Sequence, residues 1–312
     1  MKNKIVTAKK MQRMMRMTGV GICILLFLTL QAQAAITVYD DDGNAVTLGK
    51  PAQRVITLAP HATELVFAAG GGDRVVGTIS HSDYPPAALE IPRVGSHQQI
   101  DIERIIALKP DLLIVWLHGN SERQLGSLRQ LGIPFFYTEP KKLTDIPVSI
   151  ARLGKLMGTE AQADKTAAAE RAELTRLAKE YSNKSPVRTF YQVWGKPIYT
   201  LNGKHILSDV MRLCGGKNVF ADLSVTAPNV SEESVILANP EAMITGARSS
   251  GKTSGLEIWQ RHSDMLAVKN HNLFSIDADL LNRAGPRLIE GATLVCQALQ
   301  QARTHRQPQK TQ

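Results

Sequence analysis

Short apolar runs alternate with amphipathic segments along the first half of the chain. The runs at 54–58, 75–79, 112–116 and 134–137 predict buried strands, and the stretches at 63–69, 102–108 and 122–131 predict helices. A β-like segment at 36–46 precedes them. Strands that alternate with helices in this way are typical of a parallel sheet, so the pattern predicts an α/β fold.

The second half of the chain repeats the pattern. Residues 188–193 predict a strand, and 207–213 predict a helix that a Gly-Gly pair ends. The sequence ERIIALKPDLLIV from Glu103 aligns without gaps with ESVILANPEAMIT from Glu233. This weak internal duplication predicts two lobes of similar fold.

An Ala- and Glu-rich segment separates the two repeats. Thr159 and Gln162 have the spacing of a capping box, and apolar residues recur on one face as far as Tyr181. A helix of about 23 residues is about 35 Å long, which is long enough to bridge two lobes. The predicted organisation is an N-terminal lobe at 35–158, a bridging helix at 159–183, a C-terminal lobe at 184–302 and a polar tail at 303–312.

The segment at 1–34 has the three parts of a secretory signal peptide. Basic residues lie before residue 17, an apolar run extends from Val20 to Leu30, and Ala32-Gln33-Ala34 forms a cleavage pattern. The apolar run is shorter than the roughly 20 residues of a transmembrane helix. We therefore expect a cleaved signal peptide at 1–34 and an exported mature protein.

Composition argues against disorder and against nucleic-acid binding. Hydrophobic residues make up 43% of the chain, which is enough to form a large core. The formal net charge is +9, but removing residues 1–34 leaves 31 basic and 28 acidic residues. The folded body is then close to neutral, so we expect no nucleic-acid partner.

Cysteine usage agrees with an oxidising compartment. Cys214 and Cys296 remain after removal of the signal peptide, and such a pair predicts either a disulfide or two buried thiols, with the disulfide favoured. The third cysteine, Cys23, raises the alternative of a lipid-anchored protein. That alternative is disfavoured because Ile22 occupies the place of the small residue that lipid attachment requires.

One motif match has a weak structural context. Residues 246–253 fit the phosphate-loop expression GxxxxGK[ST] and follow a predicted strand. Gly255 interrupts the helix that should follow, and an exported protein meets little nucleotide. The favoured interpretation is therefore a polar surface loop.

Four histidines of the first lobe are candidate ligand-binding residues. Each of them lies just beyond a predicted strand or apolar segment, where a ligand cleft forms in an open α/β sheet; they are His61, His81, His97 and His118. Imidazoles are common metal ligands, so a metal or haem site is one interpretation. Hydrogen-bonding cleft histidines are favoured, because no two of them have a close ligand spacing. The chain also lacks a GxSxG or HExxH motif, so we expect no enzyme and no catalytic cofactor, with an exported enzyme as the alternative.

Several segments together resemble the periplasmic cobalamin-binding proteins of ABC importers, a superfamily shared with haem and siderophore binders. The segments are RVITLAPHATELVFAAG from Arg54, SDYPP from Ser82, IERIIALKPDLLIVW from Ile102, GN from Gly119, LCGG from Leu213, VSEE from Val230 and RAGPR from Arg283. The resemblance implies two Rossmann-like lobes joined by a long helix, with the ligand in the cleft between the lobes.

The resemblance also implies a set of ligand-binding residues. They are His81, His97, Trp116, Tyr199, Ala227, Asp279 and Arg283. Aromatic rings at Trp116 and Tyr199 suit the corrin ring, and Asp279 and Arg283 can bond its peripheral amides. His81, His97 and Ala227 depart from the aromatic residues of the best-known family member, and the two imidazoles would suit the alternative cargo of haem or a ferric siderophore.

The resemblance also implies a docking role for two acidic residues. Glu103 and Glu233 occupy the same place in the two repeats, where the family has a pair that docks onto arginines of the symmetric permease. We therefore expect a periplasmic protein, monomeric when free, that captures cobalamin or a related corrinoid. Its partners would be an ABC permease and its ATPase in the inner membrane.

Overall fold

The computed structural model describes residues 35–247 and 255–306. The predicted signal peptide with Cys23, most of the phosphate-loop match and the end of the predicted tail lie outside the described residues. The described chain opens with an antiparallel hairpin of β1 (Ile36–Tyr39) and β2 (Ala45–Leu48), whose buried residues alternate with exposed ones. This hairpin confirms the predicted β-like segment at 36–46.

The first sheet contains the four strands predicted in the first half of the sequence. They are β3 (Val55–Thr57), β4 (Val75–Thr78), β5 (Leu112–Trp116) and β6 (Phe135–Thr138). All neighbours are parallel, in the order β4-β3-β5-β6. The helices that follow in this half are α1 (Pro60–Ala68), α2 (Ile102–Ala107), α3 (Glu122–Arg129) and α4 (Asp145–Met157). We call this sheet with its helices the N-terminal lobe.

The second sheet has the same topology. Its strands are β7 (Val187–Gln192), β10 (Gly216–Asn218), β11 (Ala242–Ala247) and β12 (Leu273–Asp277), all parallel, in the order β10-β7-β11-β12. A small antiparallel hairpin of β8 (Trp194–Gly195) and β9 (Ile198–Tyr199) follows β7. The helices are α6 (Ile206–Leu213), α7 (Glu232–Ala238), α8 (Leu266–Lys269), α9 (Ala278–Leu281) and α10 (Arg287–Thr304). We call this sheet with its helices the C-terminal lobe, and the predicted pair of α/β lobes is confirmed.

The internal duplication extends to individual hydrogen bonds. The offset that aligns Glu103 with Glu233 also relates the starts of helices α2 and α7 and the starts of strands β5 and β11. Asp101 caps α2 by accepting from the Arg104 amide, and Ser231 caps α7 in the equivalent way. Lys109 and Asn239, also equivalent, both have positive φ angles, of 47° and 39°. The repeat therefore preserves the caps and the turn although most residue types differ.

A long helix, α5 (Glu160–Tyr181), lies between the two lobes in sequence. It packs against α1 and α4 of the N-terminal lobe and against α6 and α10 of the C-terminal lobe. Its start differs from the predicted capping box: the Thr159 hydroxyl donates to the Ala69 carbonyl at 2.6 Å and so ties the helix to the N-terminal lobe. One buried apolar cluster continues from that lobe through Leu177 of α5 into the C-terminal lobe.

The polar tail expected at 303–312 begins within the C-terminal helix. Helix α10 continues to Thr304, so Arg303 lies in its last turn and donates to the Cys214 carbonyl at 2.7 Å. Arg306 pairs with Glu241 at 2.9 Å. These arginines have partners within the C-terminal lobe, which the local polarity of the sequence did not reveal.

The structure contains the disulfide between Cys214 and Cys296, which joins the end of α6 to α10 with a Cα–Cα distance of 4.6 Å. Closing a loop of 82 residues stabilises a fold by about 4–5 kcal/mol in the chain-entropy account. No helix within the described ranges is both long and apolar enough to cross a membrane.

Candidate ligand cleft

Trp116 ends β5, and a buried asparagine fixes the backbone at this point. The Trp116 amide donates to Asn120 Oδ1 at 2.8 Å, and Asn120 Nδ2 donates to the Leu58 carbonyl at 2.9 Å. Leu58 follows directly after β3, so Asn120 links the carboxyl ends of two adjacent parallel strands. Carboxyl ends of parallel strands form the ligand crevice in open α/β sheets, and Trp116 stands at that edge.

The indole of Trp116 has closely fitted neighbours. It is half-buried and meets the His61 ring edge to face, with ring centroids 5.5 Å apart at 84°. A Cβ atom at Gly119 would come within 1.9 Å of the indole. The absence of a side chain at Gly119 therefore provides the space that the ring occupies. In the sequence, Gly119 was identified only as part of a motif.

His61 is buried behind Trp116. Burial lowers the pKa of His61 to about 4, the positive charge of Arg283 acts in the same direction, and a hydrogen bond to the backbone of Thr138 opposes both. Its Nε2 atom has no hydrogen-bond partner among the described residues. The ring is consequently neutral near pH 7 and packs against the Trp116 indole.

The four candidate histidines of the N-terminal lobe have different surroundings. His81, His97 and His118 are exposed on separate loops, while His61 is buried, and His118 contacts Glu139. Within 35–247 and 255–306, no group of three or more His, Cys, Asp or Glu side chains is placed to hold a metal ion. The loops that carry His81 and His97 are neighbours, since the Ser80 amide donates to the Gly95 carbonyl at 2.8 Å, and a metal role for single histidines or a pair stays a prediction.

The predicted residues of the C-terminal lobe lie on and beside a small hairpin. Tyr199 of β9 is 37% exposed and pairs directly with Trp194 of β8. Ala227 is exposed on the segment alongside β9, where the Thr200 amide donates to the Pro228 carbonyl at 3.0 Å. Tyr199 and Ala227 thus belong to one surface.

Arg283 is the centre of an ion-pair cluster between the lobes. Its Nη1 donates to Glu64 at 3.0 Å and to Asp83 at 2.7 Å, and its Nη2 donates to Asp279 at 3.4 Å. Burial opposes its charge, but the hydrogen bonds to Asp83 and Glu64 outweigh burial and hold the pKa of Arg283 above its ordinary value. Asp83 and Asp279 are about half exposed, so the cluster opens towards solvent on their side.

A second arginine completes this cluster. Arg287 donates to Glu64 through Nε at 3.0 Å and Nη2 at 2.7 Å, and its guanidinium lies 4.0 Å from the ring centre of Tyr84. Glu64 is only 1% exposed, so both arginines compensate its buried charge. Sequence reasoning missed Glu64, Arg287 and Tyr84 as site residues, although all of them lie inside the segments that carried the resemblance.

A family comparison agrees with this arrangement of two parallel sheets and a cleft edge. Periplasmic binding proteins match residues 55–280, a range that includes both sheets. The chain belongs to the periplasmic binding protein family.

Known periplasmic binding proteins cover most of this chain. The vitamin B12-binding protein of Vibrio cholerae is 42% identical over 246 residues, which are 79% of this chain and 88% of that protein. The crystal structure of the periplasmic vitamin B12 binding protein BtuF of Vibrio cholerae has a TM-score of 0.75 and covers 81% of this chain and 98% of its own, again at 42% identity. A haem-binding member, RhuT from Roseiflexus sp. RS-1, has a TM-score of 0.69 at 25% identity, over 80% of this chain and 98% of that one.

The two predicted docking acids of this periplasmic binding protein are exposed at equivalent places. Glu103 and Glu233 are each the second residue of their helix, α2 and α7. Hydrogen bonds from its own backbone amide and from Ser231 lower the pKa of Glu233. An exposed isoleucine follows each acid by one helical turn, Ile106 at 49% and Ile236 at 36% exposure. Each lobe therefore presents the same pairing of acid and apolar side chain.

A cavity of about 640 Å³ lies between α1, α5 and α10. Its walls include Phe67, Glu170, Ile289 and Leu294, and the ion pair of Glu64 with Arg287 reaches it. None of the predicted ligand residues lines it. The cavity thus adjoins the ion-pair cluster through Glu64 and Arg287 but is not lined by any predicted ligand-binding residue.

Proposed function

We propose that this protein captures cobalamin or a related corrinoid in the cleft between its lobes and delivers it to an ABC importer. The observation that carries the proposal is the 42% identity to a vitamin B12-binding protein over 88% of that protein's length. The family match over residues 55–280 includes both sheets and the positions of Trp116 and Tyr199.

The side chains of the cleft suit a corrinoid. Trp116 and Tyr199 come from different lobes and offer aromatic surface to the flat macrocycle and its apolar edges. The half-exposed Asp279 carboxylate can accept from peripheral amides, and Arg283 can donate to their carbonyl oxygens. The buried anchor of Arg283 on Glu64 fixes the guanidinium before the ligand arrives, which reduces the entropy lost on binding.

Haem is not favoured as the cargo. The haem-binding relative RhuT is 25% identical, against 42% for the vitamin B12 binder. An exported enzyme is a weaker alternative still, because the relatives are solute-binding proteins.

Delivery would place the protein in the periplasm, with a permease and its ATPase in the inner membrane as partners. The N-terminal basic and apolar pattern supports export. Glu103 and Glu233 would meet basic groups on the two equivalent subunits of the permease, and their equivalent places on the two lobes support such a symmetric contact.

Calorimetric titration of the purified mature protein, separately with cyanocobalamin and with haemin, tests the proposed cargo. We expect saturable binding of cyanocobalamin at one site and weaker or no binding of haemin. Haemin binding with a Soret shift that His81→Ala or His97→Ala abolishes, together with no heat from cyanocobalamin, would assign the cargo to haem instead.

A further inference from the structure

Trp194 is an exposed aromatic residue that the predicted ligand set does not include. Of the three tryptophans, Trp259 is fully buried, Trp116 is half-buried and Trp194 is 65% exposed. Leaving an indole in water forgoes the hydrophobic stabilisation that burial of such a large side chain provides. A ligand or partner that covers the ring would provide this stabilisation.

The position of Trp194 is defined by the hairpin after β7. In the antiparallel pair, Trp194 stands directly opposite Tyr199, and Gly195 stands opposite Ile198. Directly opposed residues of an antiparallel pair project from the same face, so the indole and the phenol lie side by side. The indole Nε1 donates to the Lys196 carbonyl at 3.2 Å, which holds the ring against the hairpin.

The same surface continues onto the neighbouring segment. Tyr199 forms a bridge with Asn229, and the Asn202 amide donates to the Thr226 carbonyl at 2.9 Å. Val225 on this segment is 60% exposed, and Ala227 is exposed as well. Trp194, Tyr199, Val225 and Ala227 therefore form an exposed, mainly apolar patch on the C-terminal lobe, which we call the hairpin patch.

We propose that Trp194 contacts the corrinoid and, with Tyr199, forms the aromatic wall of the C-terminal lobe. This inference rests on the proposed function, because the occupant it names is the apolar edge of the same macrocycle. The hairpin patch is continuous with two predicted ligand residues, Tyr199 and Ala227, and it follows the carboxyl end of β7, where ligands bind in α/β lobes. Trp194 gives this wall more aromatic area than Tyr199 alone would supply.

Calorimetry with cyanocobalamin on Trp194→Ala and Trp194→Phe tests the assignment. We expect Trp194→Ala to raise the Kd roughly 10- to 100-fold, and Trp194→Phe to retain most of the affinity. Tyr39→Ala is the matched control, because Tyr39 is 62% exposed on β1 and lies outside the hairpin patch. The control should bind as the wild-type protein does.

Fluorescence gives a second readout that does not depend on the alanine variant folding. Subtracting the emission of Trp194→Phe from that of the wild-type protein isolates Trp194, and we expect cyanocobalamin to quench this difference signal. An unquenched difference signal, or a Trp194→Ala protein that binds like wild type, would overturn the role of Trp194 and leave the proposed function standing. Failure of the wild-type protein to bind cyanocobalamin would overturn both.

Discussion

Glu64 accepts hydrogen bonds from Arg287 through both carboxylate oxygens, at 2.7 and 3.0 Å, and so joins helix α1 of one lobe to helix α10 of the other. The carboxylate also accepts from Arg283 at 3.0 Å. Because the acid is 1% exposed and the arginines are 14% and 12% exposed, these contacts lie largely out of water. They fix the relative positions of the lobes at the base of the predicted cleft.

Loss of the Glu64 charge should destabilise the protein strongly. Glu64→Gln leaves two buried guanidinium groups without their shared carboxylate, and breaking a buried pair typically costs about 3–5 kcal/mol. Urea denaturation at pH 7 measures the change in the free energy of unfolding. Glu122→Gln is the control, since its pair with Arg129 is exposed and should contribute little. Equal unfolding free energies for the two variants would show that Glu64 does not clamp the lobes.

Gly119→Ala should weaken corrinoid binding by displacing the Trp116 ring. The added methyl would lie 1.9 Å from the present indole position, so the ring must move. We expect a loss close to that of Trp116→Ala, roughly 2–4 kcal/mol of binding free energy as for other hot-spot aromatics. Calorimetry with cyanocobalamin measures both variants.

Gly126→Ala is the matched control for this change. A Cβ atom at Gly126, within α3, meets nothing within 4 Å, and alanine there should stabilise the helix by about 0.5–1 kcal/mol without altering affinity. If Gly119→Ala binds cyanocobalamin as tightly as wild type does, the packing of Trp116 on Gly119 does not shape the cleft.

The sequence predicted the repeated α/β pattern well, because hydrophobic periodicity records which faces are buried. Strand β5 has the predicted bounds, 112–116, and the offset between the two repeats holds for caps and turns as well. Helix α4 was missed, since Pro147 near its start resembles a turn signal although proline is tolerated in a first helical turn.

Long-range partners could not be predicted from local patterns. Arg283 was expected to face the ligand, yet its buried contact with Glu64 joins residues 219 positions apart, and no periodicity encodes such a pairing. Local patterns do not single out the exposed Trp194 either, because its place beside Tyr199 depends on the pairing across the hairpin.

Stability should fall when the solution is acidified from pH 7 to pH 5. Burial lowers the pKa values of His61 and His205 to about 4, so between pH 6.5 and 4 the unfolded chain binds protons that the folded protein does not. Each histidine then removes roughly 2 kcal/mol of stability between pH 7 and 5. His61→Ala should lose correspondingly less on acidification.

Urea denaturation at the two pH values, repeated for His97→Ala, checks this prediction. His97 is exposed, so its removal should leave the wild-type pH dependence intact. A His61→Ala protein with the full wild-type loss between pH 7 and 5 would show that the buried imidazole does not resist protonation.

The docking acids should matter for transport and not for ligand binding. We expect Glu103→Ala with Glu233→Ala to abolish corrinoid uptake by vesicles that contain the permease and ATPase, while calorimetry gives an unchanged Kd. Glu160→Ala, another exposed acid in a first helical turn, is the control and should support normal uptake. Normal uptake with the double variant would refute docking, and loss of ligand binding would assign these acids a structural role.

The position of cobalt in a crystal of the protein with cyanocobalamin tests the central claim most directly. An anomalous difference map identifies cobalt by its own scattering, so the peak marks the metal before the corrin ring is built. We predict one cobalt peak between the lobes, with the corrin ring between Trp116 and the hairpin patch and peripheral amides bonded to Asp279 and Arg283. A cobalt peak in the cavity between α1, α5 and α10, or no peak at saturating cyanocobalamin, would contradict the account.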